Sequence, residues 1–219
     1  MSKKEMWDQF YGKAEFQYSQ EPIDLLKNYH PYLRKGKALD LAMGEGRNAI
    51  FLARQGFHVL GLDISDVAIQ KAKKWAYLEN VPIEVKAVDV DMYVFPLMRF
   101  DTIILSYFKP IPRYYSEIAR ALVQGGTVAI ENYTTEQLVR TPIAGFCNQD
   151  YFYPNELLKN LKELQILYYH ERFLNGFYIV QCIAKKPVDK DAVKYGFAQE
   201  DASSEKSKYK AAEDLFKKK

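Results

Sequence analysis

One stretch concentrates residues able to do chemistry: Asp40-Leu41-Ala42-Met43-Gly44-Glu45-Gly46-Arg47-Asn48. It follows a short apolar run and opens a segment with helical spacing. Gly44 and Gly46 lack a Cβ, so the backbone there can turn sharply and come close to a ligand. The helix N-terminus beyond offers free N–H groups to an anion. Asp63 ends the next apolar run, about 20 residues on, where a carboxylate can accept hydrogen bonds from both hydroxyls of a ribose. The segment from Gly44 to Ala49 also satisfies the loose dinucleotide pattern G-x-G-x-x-G/A. Asp40 discriminates between the two ligands. A pyrophosphate pocket does not want a carboxylate just before the glycine turn, whereas a cationic nucleoside does. S-adenosylmethionine, with a sulfonium, an ammonium and no phosphate, is such a nucleoside. Asp89 supplies a third polar group where an adenine amino group would lie. Each acid has a plainer reading: a loop or capping carboxylate for Asp40, a helix cap for Asp63, a solvated turn for Asp89 and Asp91. For Asp63 that reading is weakened, because Ser65 and Asp66 can already cap the following helix.

The elements that must position these residues alternate. Strands are expected over 38–42, 57–63, 83–88, 100–106 and 127–132. Helices are expected over 48–55, stopped by Gly56; from a Ser65 cap to Leu78, with Val67, Ala68, Ala72 and Trp75 buried; over 114–122, ended by Gly125-Gly126; and from Pro154 to Leu161. Two further strands, 164–169 and 177–185, flank a turn at Asn175-Gly176 and form a hairpin. Repeated strand–helix–strand units require a parallel sheet with helices on both faces. The expected fold is therefore α/β, Rossmann-like and doubly wound: a mostly parallel seven-stranded sheet with an antiparallel C-terminal edge hairpin. Residues 1–35 form short amphipathic helices over the carboxyl edge of the sheet, where such folds bind ligands. Residues 36–186 form the core, and 187–219 a charged, flexible tail with a helix over 204–218.

Composition excludes several classes. The 219 residues are 48% hydrophobic and 27% charged, enough to bury a core without disulfides or metals. Net charge is +3, from 31 basic and 28 acidic residues, which does not suggest a nucleic-acid binder. Two cysteines (Cys147, Cys182) and three histidines (His30, His58, His170) at wide spacing leave no expected metal site or disulfide scaffold. No signal peptide and no membrane-length apolar run is evident, so a cytoplasmic location is expected.

The run from Ala38 through Ala49, with Leu62-Asp63-Ile64-Ser65, resembles the cofactor-binding region of class I S-adenosylmethionine-dependent methyltransferases. Gly44-Glu-Gly-Arg-Asn48, Gly56-Phe-His-Val59, Trp7-Asp8-x-x-Tyr11, Gly125-Gly126 and Tyr153-Pro-Asn-Glu-Leu157 are most similar to the tellurite-resistance and thiopurine-type small-molecule branch. The resemblance covers residues 5 to 186. It implies that Asp40, Ala42, Gly44 and Gly46 line the methionyl part of the cofactor. Asp63 would bind the ribose, Ile64 and Val90 would flank the adenine, Asp89 would meet its amino group, and Ser106 would border the methyl. Two positions depart from the family: Ala42 stands for a glycine, and Met43 for a frequent cysteine, where it narrows the pocket.

The implied activity is direct in-line transfer of the methyl group to a small-molecule nucleophile, leaving S-adenosylhomocysteine. Substrate-facing candidates are Trp7, Tyr11, Arg47, Tyr107, Tyr133 and Arg140, with Phe108 on the rim. Arg47 suits an anion, unless Glu45 pairs with it. The stretch from Tyr133 to Tyr153, with Pro142 and Gly145, reads as a long loop over the pocket. No compelling catalytic base is apparent; His30 and Asp8 are the nearest candidates. A monomer or weak homodimer without nucleic-acid or membrane partners is expected. The alternatives are a cofactor-binding regulatory protein of the same fold without turnover, and a nicotinamide-dependent oxidoreductase, against which Asp40 argues.

Overall fold

Ala38, Leu39, Asp40 and Leu41 are all buried, the mark of a parallel strand covered on both faces. They form β1 (Lys37–Leu41), an interior strand of a seven-stranded sheet in a computed structural model that describes residues 1–189. The other strands are β2 (His58–Asp63), β3 (Glu84–Ala87), β4 (Phe100–Ser106), β5 (Leu122–Tyr133), β6 (Gln165–Leu174) and β7 (Phe177–Lys185). Their order is β3-β2-β1-β4-β5-β7-β6. β1 to β5 run parallel, and β7 is antiparallel to both its neighbours.

Alternate residues of the strands face opposite layers. Leu39, Leu41, Ile103, Leu105, Val128 and Ile130 face α5 (Arg113–Ala121) and α7 (Glu156–Asn160) in one core. Ala38, Ile104, Ala129 and Ile183 face α2 (Asp24–Tyr29) and α3 (Arg47–Arg54) in the other. Met1–Pro187 is one compact unit. The expected tail and its helix lie outside the described residues, apart from Pro187 to Asp189.

Several boundaries differ from expectation for local reasons. α5 ends at Ala121 and β5 begins at once, so Gly125 and Gly126 lie inside a strand, where the β4–β5 register shifts. Asn155, not Pro154, precedes α7; its left-handed backbone (φ 59°) delays the helix to Glu156. On α4 (Asp66–Leu78), Ile69 is buried and Val67 only half-buried. The hairpin is longer than its apolar pattern, with β6 running to Leu174. Its turn sits at Asn175 and Gly176, both with positive φ. The hairpin forms the sheet edge as expected, with β7 paired to β5 and β6 outermost.

The N-terminal segment does more than cover one edge. α1 (Lys3–Gly12) lies at the carboxyl ends of β2 and β3, where Asp8 accepts from Ser65 Oγ (2.7 Å) and the Val67 N–H (3.2 Å). The chain then crosses a sheet face. The Gln17 N–H donates to Glu45, the Ile23 N–H to Asn48 Oδ1, and the Leu25 N–H to Glu131. Arg34 finally pairs with Asp101 at the start of β4.

Candidate active site

At the carboxyl ends of β1, β2 and β4 the structure opens a cleft of about 900 Å3. The turn from β1 to α3 forms its floor. Gly44 has φ +57°, and a Cβ placed on it would come within 2.7 Å of the Tyr11 hydroxyl, so only glycine fits without displacement. Asp63 Oδ2 accepts the Gly44 N–H (2.7 Å) and Oδ1 the Ser65 N–H (2.8 Å). The Ile64 N–H also bonds this carboxylate, which leaves about one of its four acceptor positions for a further donor. Burial raises the Asp63 pKa, while the Ser65 and Gly44 N–H groups pull against that rise. Ala42, Gly44, Asp63, Ile64, Asp89, Val90 and Ser106 all line this cleft.

Two of the expected cofactor residues do not line it. Asp40 is fully enclosed, and neither carboxylate oxygen has a hydrogen-bond partner of ordinary geometry among the described residues. Burial pushes its pKa up to about 7, against the nearby Arg47 charge. Asp40 therefore lies behind the glycine turn and not on the cleft wall. Gly46 caps α3, and a Cβ there would meet the Ala72 Cβ at 2.9 Å; close packing on α4 explains it. Met43 packs rather than obstructs: its Sδ fills the space a Cβ on Gly61 would need, and it is 5% exposed.

Above the floor, Trp7 stacks on Tyr11 (5.9 Å, 29°), and both line the cleft. Lys3 reaches Asp89 (3.3 Å) and Asp91 (2.8 Å), so Asp89 already carries a protein partner. Glu45 pairs with Lys71 (3.0 Å), not with Arg47. Arg47 instead lies over the rings of Tyr18 (5.8 Å) and Tyr107 (5.5 Å), with no carboxylate partner among the described residues. Tyr133 does not line the cleft; its ring backs Tyr107 at 4.6 Å. Phe108 and the segment Gly145–Asp150 complete the wall.

Arg140 is exposed, bound to Glu136 and Tyr178, and plays no part in the cleft. His30 Nδ1 meets the Leu26 carbonyl and its ring meets Phe51, on the sheet face away from the cleft. Lys4, Ser65 and Val67 hold the Asp8 carboxyl down to about 2, which makes it a poor base. Sequence reasoning missed Tyr18, Lys109, Phe146 and Glu131. Glu131 left a signal, as an acid directly after the apolar run from Val128 to Ile130, and Phe146 lies in the stretch read as a loop over the pocket.

Residues 38–126 match the methyltransferase domain family. That match spans under half of the chain, and the fold is the one found in S-adenosylmethionine-dependent methyltransferases of known structure. Solved structures agree at fold level. An S-adenosylmethionine-dependent methyltransferase from Methanosarcina mazei superposes with a TM-score of 0.62 at 21% identity, covering 77% of this chain and all of that one. TehB from Haemophilus influenzae does so at 0.59 and 20%, covering 74% and 65%. Among curated relatives, a 23S rRNA (uracil(747)-C(5))-methyltransferase from Pyrococcus horikoshii is 29% identical over 105 residues, 47% of this chain and 24% of that protein. A 2-heptyl-1-hydroxyquinolin-4(1H)-one methyltransferase from Mycobacteroides abscessus is 30% identical over 132 residues, 56% and 57% of the two chains. The chain thus spans about a quarter of the first relative and just over half of the second.

The domain implies S-adenosylmethionine as cofactor, and the residues present fit it. Gly44 leaves room for close backbone approach, Asp63 sets a carboxylate on the cleft wall, and the buried Asp40 adds acidic character close by. No helix among the described residues is long and apolar enough to cross a membrane.

Proposed function

We propose that the protein moves the methyl group of S-adenosylmethionine to a small-molecule nucleophile by direct displacement. The cofactor brings an activated methyl and a neutral leaving group, so the protein's task is to bind, orient and exclude water. In this reading Asp63 holds the ribose, Ile64 and Val90 flank the adenine near Asp89, and Ala42 and Gly44 bed the methionyl chain. Ser106 lies beside the methyl. The acceptor enters beneath Trp7 and Tyr11, and an anionic group on it meets Arg47.

The observation that carries this reading is a shared cleft. The cofactor cradle and a wall of Tyr18, Arg47, Tyr107 and Phe146 face one space of about 900 Å3, roofed by α1. That is the size of a small-ligand site. The Mycobacteroides relative, named for a hydroxyquinolone, supports a small aromatic acceptor. The archaeal rRNA enzyme matches under half of this chain.

Calorimetry with S-adenosylhomocysteine, then labelled methyl transfer to thiols, selenite, tellurite, halides, phenols and amines, tests the reading. Saturable binding, weakened at least about tenfold by Asp63→Ala, is expected, since the loss of charge-assisted hydrogen bonds costs more than 1.4 kcal/mol. No binding to folded protein overturns the reading. Binding without transfer to any acceptor favours a regulatory role.

A further inference from the structure

Tyr107 is gripped at both ends by one residue. It directly follows β4, and its φ of +52° is an outlier for so bulky a side chain. Its N–H donates to the Glu131 backbone carbonyl (2.8 Å), and its phenol donates to Glu131 Oε1 (2.9 Å). Strain held this firmly beside a ligand cleft calls for a functional explanation.

Glu131 is an unusual partner. It is 2% exposed, yet its carboxylate is well supplied: Oε2 accepts the Leu25 N–H (3.1 Å) and Gln181 Nε2 (2.6 Å). The Gln181 carbonyl oxygen in turn accepts from Arg172 (2.9 Å) and the Tyr168 hydroxyl (3.3 Å), which fixes the amide with its NH2 toward Glu131. Among the described residues, Oε1 has the Tyr107 phenol alone. Asp24 from α2, Tyr168 and Arg172 from β6, and Tyr133 from β5 are the other titratable or charged groups near Glu131, and Arg47 overlies the Tyr107 ring. Tyr107 lines the main cleft and also a second cavity of about 370 Å3, on which Glu131 opens.

We propose that Tyr107 is a catalytic residue and Glu131 its positioning partner, together removing the proton of a hydroxyl or amine acceptor. This rests on the methyl-transfer reading above. The acceptor's X–H bond breaks as its electron pair forms the bond to the methyl carbon. The methyl leaves its sulfonium with the old bonding pair staying on sulfur. The acceptor proton passes to the Tyr107 phenol oxygen while the phenol's own proton passes to Glu131 Oε1, and then to water through the second cavity. Tyr107 stays neutral throughout, in keeping with the burial that holds its phenol pKa high.

The test compares Tyr107→Phe and Glu131→Gln with the native chain on ring-substituted phenols of pKa about 5 to about 10 at neutral pH. Both variants should lose about 100-fold in kcat on acceptors still protonated at the assay pH, and less than about threefold on those already ionised. An equal loss across the series, or none, overturns the proposal. Should Glu131→Gln fail to melt cooperatively, Tyr107→Phe carries the same comparison. A second readout needs no turnover. With S-adenosylhomocysteine present, the absorbance of bound 4-nitrophenol should report ionisation about one pH unit or more below its solution value, and Glu131→Gln should abolish that shift. No shift in the native chain overturns the relay. A native chain that binds S-adenosylhomocysteine, shifts 4-nitrophenol and methylates none of the phenols, amines, thiols or inorganic acceptors overturns methyl transfer instead.

Discussion

Asp40 illustrates what burial does to a single carboxylate that its neighbours only partly offset. Its pKa rises from 3.8 to about 7, so the folded chain binds a proton there that the unfolded chain releases. Stability contributed by this group falls as pH rises from about 4 to about 7, by an upper bound of about 4 kcal/mol. Asp40→Asn should therefore raise the melting temperature at pH 8 and leave it little changed at pH 4. The same substitution should weaken S-adenosylhomocysteine binding above pH 7, since the ligand's ammonium favours the ionised acid; melting curves and calorimetry at the two pH values check both. Gly44→Ala forces a Cβ toward the Tyr11 hydroxyl at a left-handed backbone position. A loss of about 1–2 kcal/mol in stability is expected, with a larger loss of cofactor affinity, measured by denaturant titration and calorimetry. The acidic character of residue 40 was legible in the sequence; its place behind the turn was not, because depth depends on what packs over it.

At the scale of elements, α1 and α4 hold each other. Asp8 accepts from Ser65 and Val67 at the start of α4, reinforcing the Ser65 cap from outside the helix. Asp8→Ala should cost about 1 kcal/mol of stability, as loss of a cap does. It should also raise the KM for the cofactor more than it lowers kcat, because α1 roofs the cleft; steady-state kinetics separates the two. The alternation of strands and helices read well from periodicity, since parallel strands buried on both faces are plainly apolar. Boundaries set by backbone conformation did not. Asn155 adopts a left-handed turn that a Pro-first helix signal conceals, and β5 runs through two glycines that usually mark a loop. Glu131 could be seen as an acid in an apolar strand, yet its partners Leu25 and Gln181 lie 106 and 50 residues away.

For the whole molecule, the cleft lies between the methyltransferase domain and segments added at either end of it. Ligand that binds only the folded chain stabilises it by mass action. S-adenosylhomocysteine at 100 times its Kd should add about 2.7 kcal/mol and raise the melting temperature by roughly 5–10 °C. A scan with and without ligand decides the point. That Ala42, Gly44 and Asp63 share the cleft could be read from sequence, because they come from one β–α–β unit of adjacent residues. The acceptor wall was legible only in part, since it is assembled from Tyr18, Tyr107 and Phe146, far apart in the chain. The path of residues 13–34 bears on local opening. Because that stretch is pinned at Glu45, Asn48, Glu131 and Asp101 in turn, its bonded amide protons should exchange with solvent more slowly than those of an unanchored surface segment.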